Sequence, residues 1–342
     1  MPVSGRKVKL GLILSIVLLI VSLGIILLGA ELFTNGIEWF GKKLQLAEGA
    51  VGSVLAAVGT ALPETMIPVI AILFSGAGKG HDIGIGAILG APLMLSTLAF
   101  FVTGAAVLGF ASSGRRTKVV NVSPVVVGRD LRSFFLVYAV AIGAAFLPNR
   151  PLKIAAAVFL VGAYVYYVRN TFCYAEDPSH ESEIHPLHFH RRAASPRLRI
   201  VVSQVAFALI CIVGGAHLFV QNLSLIALAS GVSALILATI ISPIATELPE
   251  KFNSVIWIRQ KKDTLALGNI TGAMVFQSSI PTAIGILFTD WVLNAHALAA
   301  GIAALAASVF AWAELKICGK LSPYSLMAGI IFYIGFLIYI FC

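Results

Sequence analysis

Thr246-Glu247-Leu248-Pro249-Glu250 (TELPE) and Thr60-Ala61-Leu62-Pro63-Glu64 (TALPE) stand 186 positions apart, each within an apolar run long enough to cross a bilayer. A proline removes a backbone donor and clashes with the carbonyl four residues back, so it interrupts a helix. A glutamate at bilayer depth is costly, and it is retained where it faces the protein interior, binds a cation or carries a proton. Two such segments in one chain predict two interrupted helices, each with a carboxylate beside the break.

The rest of the chain fits a membrane setting. Of 342 residues, 59% are hydrophobic and only 11% are charged, and the mean hydropathy is +0.96. So few charges do not cover a soluble protein of this size. Apolar runs of about 20 residues recur throughout, matching the roughly 30 Å of bilayer hydrocarbon. They predict an all-α polytopic membrane protein of about ten transmembrane helices, near 10–34, 47–76, 82–111, 125–147, 151–169, 200–222, 225–258, 264–288, 294–313 and 323–342. The run 10–30 follows a short basic stretch but is too long for a signal-peptide core and has no clear A-x-A site, so it is expected to be a retained first helix. Cys173, Cys211, Cys318 and Cys342 form no C-x-x-C pair and no metal spacing.

Basic residues give an expected orientation. Seventeen of the 24 Lys and Arg fall in loops 1–2, 3–4, 5–6, 7–8 and 9–10 or their flanks, six fall on the other side, and Lys251 lies inside a span. The richer side is expected to be cytoplasmic in the plasma membrane, with both termini outside. The net charge of +9 is then an orientation signal, and nucleic-acid binding is not implied. The polar stretch 170–198 divides the chain into a first membrane repeat (1–169), a cytoplasmic loop (170–198) and a second membrane repeat (199–342). His180, His185, His188 and His190 with Glu181 and Glu183 make this loop either a metal-sensing segment or a solvated linker.

An internal repeat joins the two motifs. Gly29-Ala-Glu-Leu-Phe33 aligns with Gly215-Ala-His-Leu-Phe219 at the same offset of 186, and the register runs without a gap from Gly29–Glu64 to Gly215–Glu250. Eight of these 36 positions are identical. A four-residue gap then sets Gly86-Ala-Ile-Leu-Gly-Ala91 against Gly268-Asn-Ile-Thr-Gly-Ala273. With five spans per half, the second copy enters the membrane from the opposite side, giving two inverted-topology five-helix repeats. Such folds bind substrate at interrupted helices near the midplane.

The polar groups around the motifs are hard: Thr60, Ser242, Thr246, Asn253, Asn269, Thr271, Gln277, Ser278 and Ser279 accompany Glu64 and Glu250. Carboxylate, hydroxyl, amide and carbonyl oxygens suit Ca²⁺, with its six to eight ligands, and also Na⁺. For each hydroxyl, helix–helix hydrogen bonding is the competing reading. Glu31 and His217, equivalent in the repeat, are expected only to pack or make a minor gating contact.

At the paired L-P-E motifs the chain resembles the sodium/calcium exchanger-like calcium/cation antiporters, whose two repeats carry a T-S-L-P-E type core. The segment Gly268–Met274 (GNITGAM) resembles the family's G-N-x-x-G-S-N type segment. The resemblance implies that Thr60, Glu64, Thr246 and Glu250, with Asn269, hold Ca²⁺ and Na⁺ alternately. It also implies that spans 1 and 6 slide across the core. The sequence departs from the family at Ala61 and Glu247, where serine is usual, at Ala87, where an Asn would face Asn269, at Pro92 and Met274, where an Asn or Asp is expected, and at Lys251, four residues after Glu247. That spacing allows an ion pair on one helix face. Glu247 is a sixth candidate metal ligand.

The expected function is secondary cation antiport, most simply Ca²⁺ export against Na⁺ through a midplane glutamate pair. The alternatives are an H⁺-coupled divalent-cation exchanger and a non-transporting, exchanger-like sensor. Small cations and the bilayer are the expected partners, with no cofactor. No nucleophile–base constellation or nucleotide loop suggests an enzyme.

Overall fold

A computed structural model describes residues 5–43, 62–76, 78–173, 185–191, 193 and 195–342. Thr60, Ala61, His180, Glu181 and Glu183 lie outside the described residues, as do the side chains of Glu250 and Asn253. The described helices are α1 (Gly5–Lys43), α2 (Leu62–Phe74), α3 (Lys79–Ser112), α4 (Pro124–Gly143), α5 (Arg150–Cys173), α6 (Leu198–Ser230), α7 (Ala234–Thr246), α8 (Leu248–Arg259), α9 (Asp263–Phe288), α10 (Ala295–Cys318) and α11 (Pro323–Phe341). The protein is an all-helical polytopic membrane protein. Seven of these helices are long and apolar enough to cross a membrane, and shorter apolar helices at Glu64–Phe74 and Ala234–Ile244 lie beside the motifs.

The expected interruption of span 7 is present. That span consists of α7 and α8, joined at Glu247, whose dihedrals (φ −93°, ψ 8°) depart from helical values although its N–H still donates to Pro243 O (3.1 Å) and its carbonyl accepts from Lys251 N–H (3.2 Å). Pro249 sits in the first turn of α8, where its missing N–H is tolerated. The boundary between spans 6 and 7 differs from the expectation. The α6 helix does not stop near 222 but runs to Ser230 and ends on the left-handed Gly231 (φ 71°). Asn222 does not break the helix because its Nδ2 donates to Leu218 O at 2.7 Å within the same helix.

The repeat appears as a reciprocal contact between α1 and α6. A Cβ on Gly29 would lie 2.8 Å from Ile212 Cγ1 and 3.1 Å from Ala208 O, while one on Gly215 would lie 2.8 Å from Ile26 Cγ1 and 3.1 Å from Ser22 O. Every partner is displaced by the same 186 positions. The two helices therefore run antiparallel and meet through equivalent surfaces, as twofold-related elements do. Small residues permit this close approach of backbones. At the far end of the pair, segment 185–191 lies along both helices. Asn35 Nδ2 and Trp39 Nε1 donate to His185 O (3.1 and 2.9 Å), and Phe189 N–H donates to Gln204 Oε1 (2.9 Å). Gln204 Nε2 closes the set by donating to Leu32 O (2.8 Å) and Asn35 Oδ1 (3.0 Å). His188 Nε2 lies 3.5 Å from Glu31, and Leu187 is fully buried.

The interior is built on α3 and α9. Gly86 and Gly90 of α3 pack onto the carbonyl oxygens of Leu235 and Thr239 of α7. Pro243 cannot donate to Thr239 O, and that carbonyl rests against Gly90. Beyond Pro92, α3 widens into a π-turn at Leu95–Ala99. There Ser96 Oγ donates to Pro92 O (2.7 Å) and Thr97 Oγ1 to Leu93 O (2.5 Å). The same pattern recurs on α9 after the four-residue gap: Ser278 Oγ donates to Met274 O, and Ser279 Oγ to Val275 O at 2.6 Å.

Two arginines fix α9 at its ends. Arg116 grips Asp263 in a fork, Nη1 to Oδ1 at 2.8 Å and Nη2 to Oδ2 at 2.6 Å, with both side chains buried, and also donates to Ile258 O at 2.8 Å. At the other end Arg150 donates to Ile286 O (2.9 Å), Thr289 O (2.6 Å) and Leu287 O. Removing one partner of such a buried pair leaves an uncompensated charge. Arg116→Ala is therefore expected to destabilise the fold by about 3–5 kcal/mol, read as a lowered unfolding midpoint in detergent. Gly29→Val and Gly215→Val should each cost about 1–3 kcal/mol by overpacking. Their unfolding midpoints should fall by matching amounts, because the two sites are equivalent.

Candidate functional site

Glu64 follows Pro63 on α2 and is buried. Its carboxylate opens onto a small cavity also lined by Ile67 of α2, Ala87 and Ala91 of α3, and Ser242, Pro243 and Thr246 of α7. The cavity, of about 10 Å³, is on the scale that one water-sized sphere requires. The first half of the chain supplies the carboxylate and the second supplies two hydroxyls, so Glu64 of one motif and Thr246 of the other line one cavity. Thr246 Oγ1 donates to Ser242 O at 3.1 Å, so its lone pairs remain available as acceptors. Ser242 Oγ is buried and, among the described residues, has no hydrogen-bond partner. An orphaned buried hydroxyl beside a carboxylate fits a cation or proton site, since native interiors rarely leave such an atom unsatisfied.

The other candidates divide into two groups. Glu247, at the helix break, is buried and lies 3.9 Å from Lys251 Nζ across one turn. Asn269 stands on α9, and its Nδ2 is buried without a partner among the described residues. Neither Glu247 nor Asn269 lines the Glu64 cavity. The backbone of Glu250 belongs to α8, one residue before Lys251. Thr271, Ser278 and Ser279, all in the sequence-derived oxygen set, donate elsewhere. The two serines bond their own helix, and Thr271 Oγ1 lies 2.8 Å from Asp130 Oδ2 and 3.0 Å from Leu267 O.

Asp130 is the polar residue that sequence reasoning misses. It is buried on α4, where Tyr167 Oη donates to Oδ1 at 3.0 Å and Arg129 Nη2 pairs with it at 3.2 Å. Arg129 also sits over the Tyr167 ring, 5.6 Å from its centroid. This cluster ties α4 and α5 to α9 two residues beyond Asn269. The available signal is an acid seven residues into a helix, but its flanking arginines make the segment read as a membrane boundary.

Comparisons with known proteins bear on this arrangement. The family model described as sodium/calcium exchanger protein matches residues 14–172 and 200–342. A protein of Alkalimonas amylolytica designated CaxA is 25% identical over 331 residues, covering 96% of this chain and 98% of its own. The inner membrane protein YrbG of Escherichia coli K12 is 23% identical over 317 residues, 91% of each chain. Among solved structures, the H⁺/Ca²⁺ exchanger CAX superposes with a TM-score of 0.76 at 18% identity, over 94% of this chain and 82% of that one. The sodium–calcium exchanger NCX_Mj superposes with a TM-score of 0.55, also at 18% identity, over 96% and 98%. These structures share the fold. With a family model matching both halves, the chain belongs to the sodium/calcium exchanger protein family.

Proposed function

We propose that the chain is a secondary antiporter of the cell membrane that exports Ca²⁺ in exchange for a monovalent cation, Na⁺ or H⁺, through a site built on Glu64 and Glu250. The observation that carries this reading is the buried Glu64 carboxylate facing Ser242 and Thr246 from the opposite repeat. A hard divalent ion bound there would draw on the Glu64 and Glu250 carboxylates, the Ser242 and Thr246 hydroxyls, and the carbonyl released by Pro249. Thr60, Asn269 and Glu247 complete the proposed ligand set. Loading neutralises the carboxylates and lets α1 and α6 move against the interior. The unloaded site keeps its negative charge in a low-dielectric surround and resists that movement, which enforces exchange over leak. The orientation proposed has both termini outside and the 170–198 loop in the cytoplasm.

One feature favours the proton as the counter-ion. Ile67, Ala87, Ala91 and Pro243 line most of the Glu64 cavity and bring no side-chain oxygen. Na⁺ needs several oxygens, whereas a proton needs only the carboxylate and one acceptor.

The test is ⁴⁵Ca²⁺ uptake into proteoliposomes under an imposed outward H⁺ or Na⁺ gradient. Uptake should follow one of the two gradients, and Glu64→Gln and Glu250→Gln should each slow it by about 10- to 100-fold, the scale of losing one charged ligand. Ser242→Ala should weaken apparent Ca²⁺ affinity while leaving the folded yield unchanged. Folded wild-type protein that binds Ca²⁺ without flux under either gradient would overturn antiport in favour of a sensor.

A further inference from the structure

The second repeat carries two charges that the first lacks. At the offset of 186, Glu247 aligns with Ala61 and Lys251 with Thr65, so both partners appear together in one copy and neither appears in the other. In the fold the two are one helical turn apart, 3.9 Å between Nζ and Oε2, with side-chain exposures of 11% for Lys251 and 2% for Glu247. The pair flanks the break at which α7 gives way to α8, immediately after cavity-lining Thr246 and on either side of Leu248, Pro249 and Glu250. An isolated buried charge at this depth is expensive, and an opposite charge one turn away offsets part of that cost. Asp130, the buried acid on α4, is balanced separately by Arg129 at 3.2 Å.

The geometry points to Lys251 as the residue that fixes transport stoichiometry: its ammonium cancels Glu247, leaves the site with the two negative charges of Glu64 and Glu250, and so makes the exchange one divalent cation for two monovalent cations, without net charge movement. This rests on the antiport reading above. Charge balances at each stage. A site of net −2 is neutral with one divalent ion and neutral again with two monovalent ions or protons. With Glu247 uncompensated it would be −3, neutral with three monovalent ions but left at −1 by one divalent ion, so the Ca²⁺-loaded half of the cycle would be opposed. Glu247 can then offer oxygen ligands beside the break without altering the ion count.

The experiment measures ⁴⁵Ca²⁺ accumulation in proteoliposomes driven by an outward gradient of the coupling cation, with membrane potential set by K⁺ and valinomycin. Wild-type accumulation should be independent of potential. Lys251→Met, whose site would stay at −1 with Ca²⁺ bound, should lose at least tenfold in Ca²⁺ uptake. Glu247→Gln, with net charge −1, should lose at least tenfold in Ca²⁺ uptake. The double variant Glu247→Gln/Lys251→Met returns to −2 and should regain flux that is again independent of potential, a non-additive rescue that marks a coupled pair. Potential-dependent accumulation by the wild type overturns the inference, and that measurement stands even where a single variant does not fold. Full, potential-independent flux in Lys251→Met also overturns it, as does a folded double variant without flux. Absence of wild-type flux under every gradient defeats the antiport reading itself, and this inference with it.

Discussion

A carboxylate at bilayer depth must be neutralised by something, and the architecture can be read from that requirement. Glu64 is enclosed by an apolar wall on three helices, with hydroxyls of the opposite repeat as its polar neighbours. No single helix can present a carboxylate and acceptor oxygens from two directions. Helices drawn from the two halves of the chain can, and the glycines of α3 let α7 come close enough to do so. Pro243 and Pro249 serve the same end, since each removes a donor from the helical ladder of span 7.

The surrounding helices fall into two mechanical classes. The α9 helix is held at both ends by arginine and along its length by the Asp130 cluster, so its register against α4 and α5 is over-determined. The α1–α6 pair differs. It is joined to itself by matched glycines and tied at one end by segment 185–191, while much of its outer surface is apolar and exposed to lipid. The inner face of the pair packs on α2, α3 and α7 through Ile67, Ala71, Ala87 and Ala238. A rigid interior thus meets two rods across an apolar contact, the kind of surface that shear-type motion uses.

What the sequence reveals follows from the range of each interaction. The helix break at Glu247 is local, set by Pro249, and is read correctly from five residues. The antiparallel meeting of α1 and α6 is distant but repeats a motif, so Gly29 and Gly215 announce it. Asp130 has neither advantage. Its meaning depends on Tyr167 and Thr271, 37 and 141 positions away, and on a depth that its arginine neighbours disguise. Segment 185–191 is similar: its composition reads as solvated loop, yet Leu187 is buried and Asn35 and Gln204 bind its backbone. The end of α6 is misjudged for a third reason. Asn222 satisfies itself within the helix, whereas Gly231 holds the left-handed turn that stops it.

The glycine-to-isoleucine contact between α1 and α6 also constrains how the protein is made. Its halves are 186 residues apart, so at a synthesis rate of about 5–20 residues per second the first helix waits on the order of 10–40 seconds for its partner. During that interval the face around Gly29 lacks its α6 partner. Among the seven long apolar helices, α1 has the highest mean hydropathy, 3.1 against 2.1 for α6. High hydropathy holds such a segment in the bilayer without its partner, whereas α6 emerges with its docking surface already present.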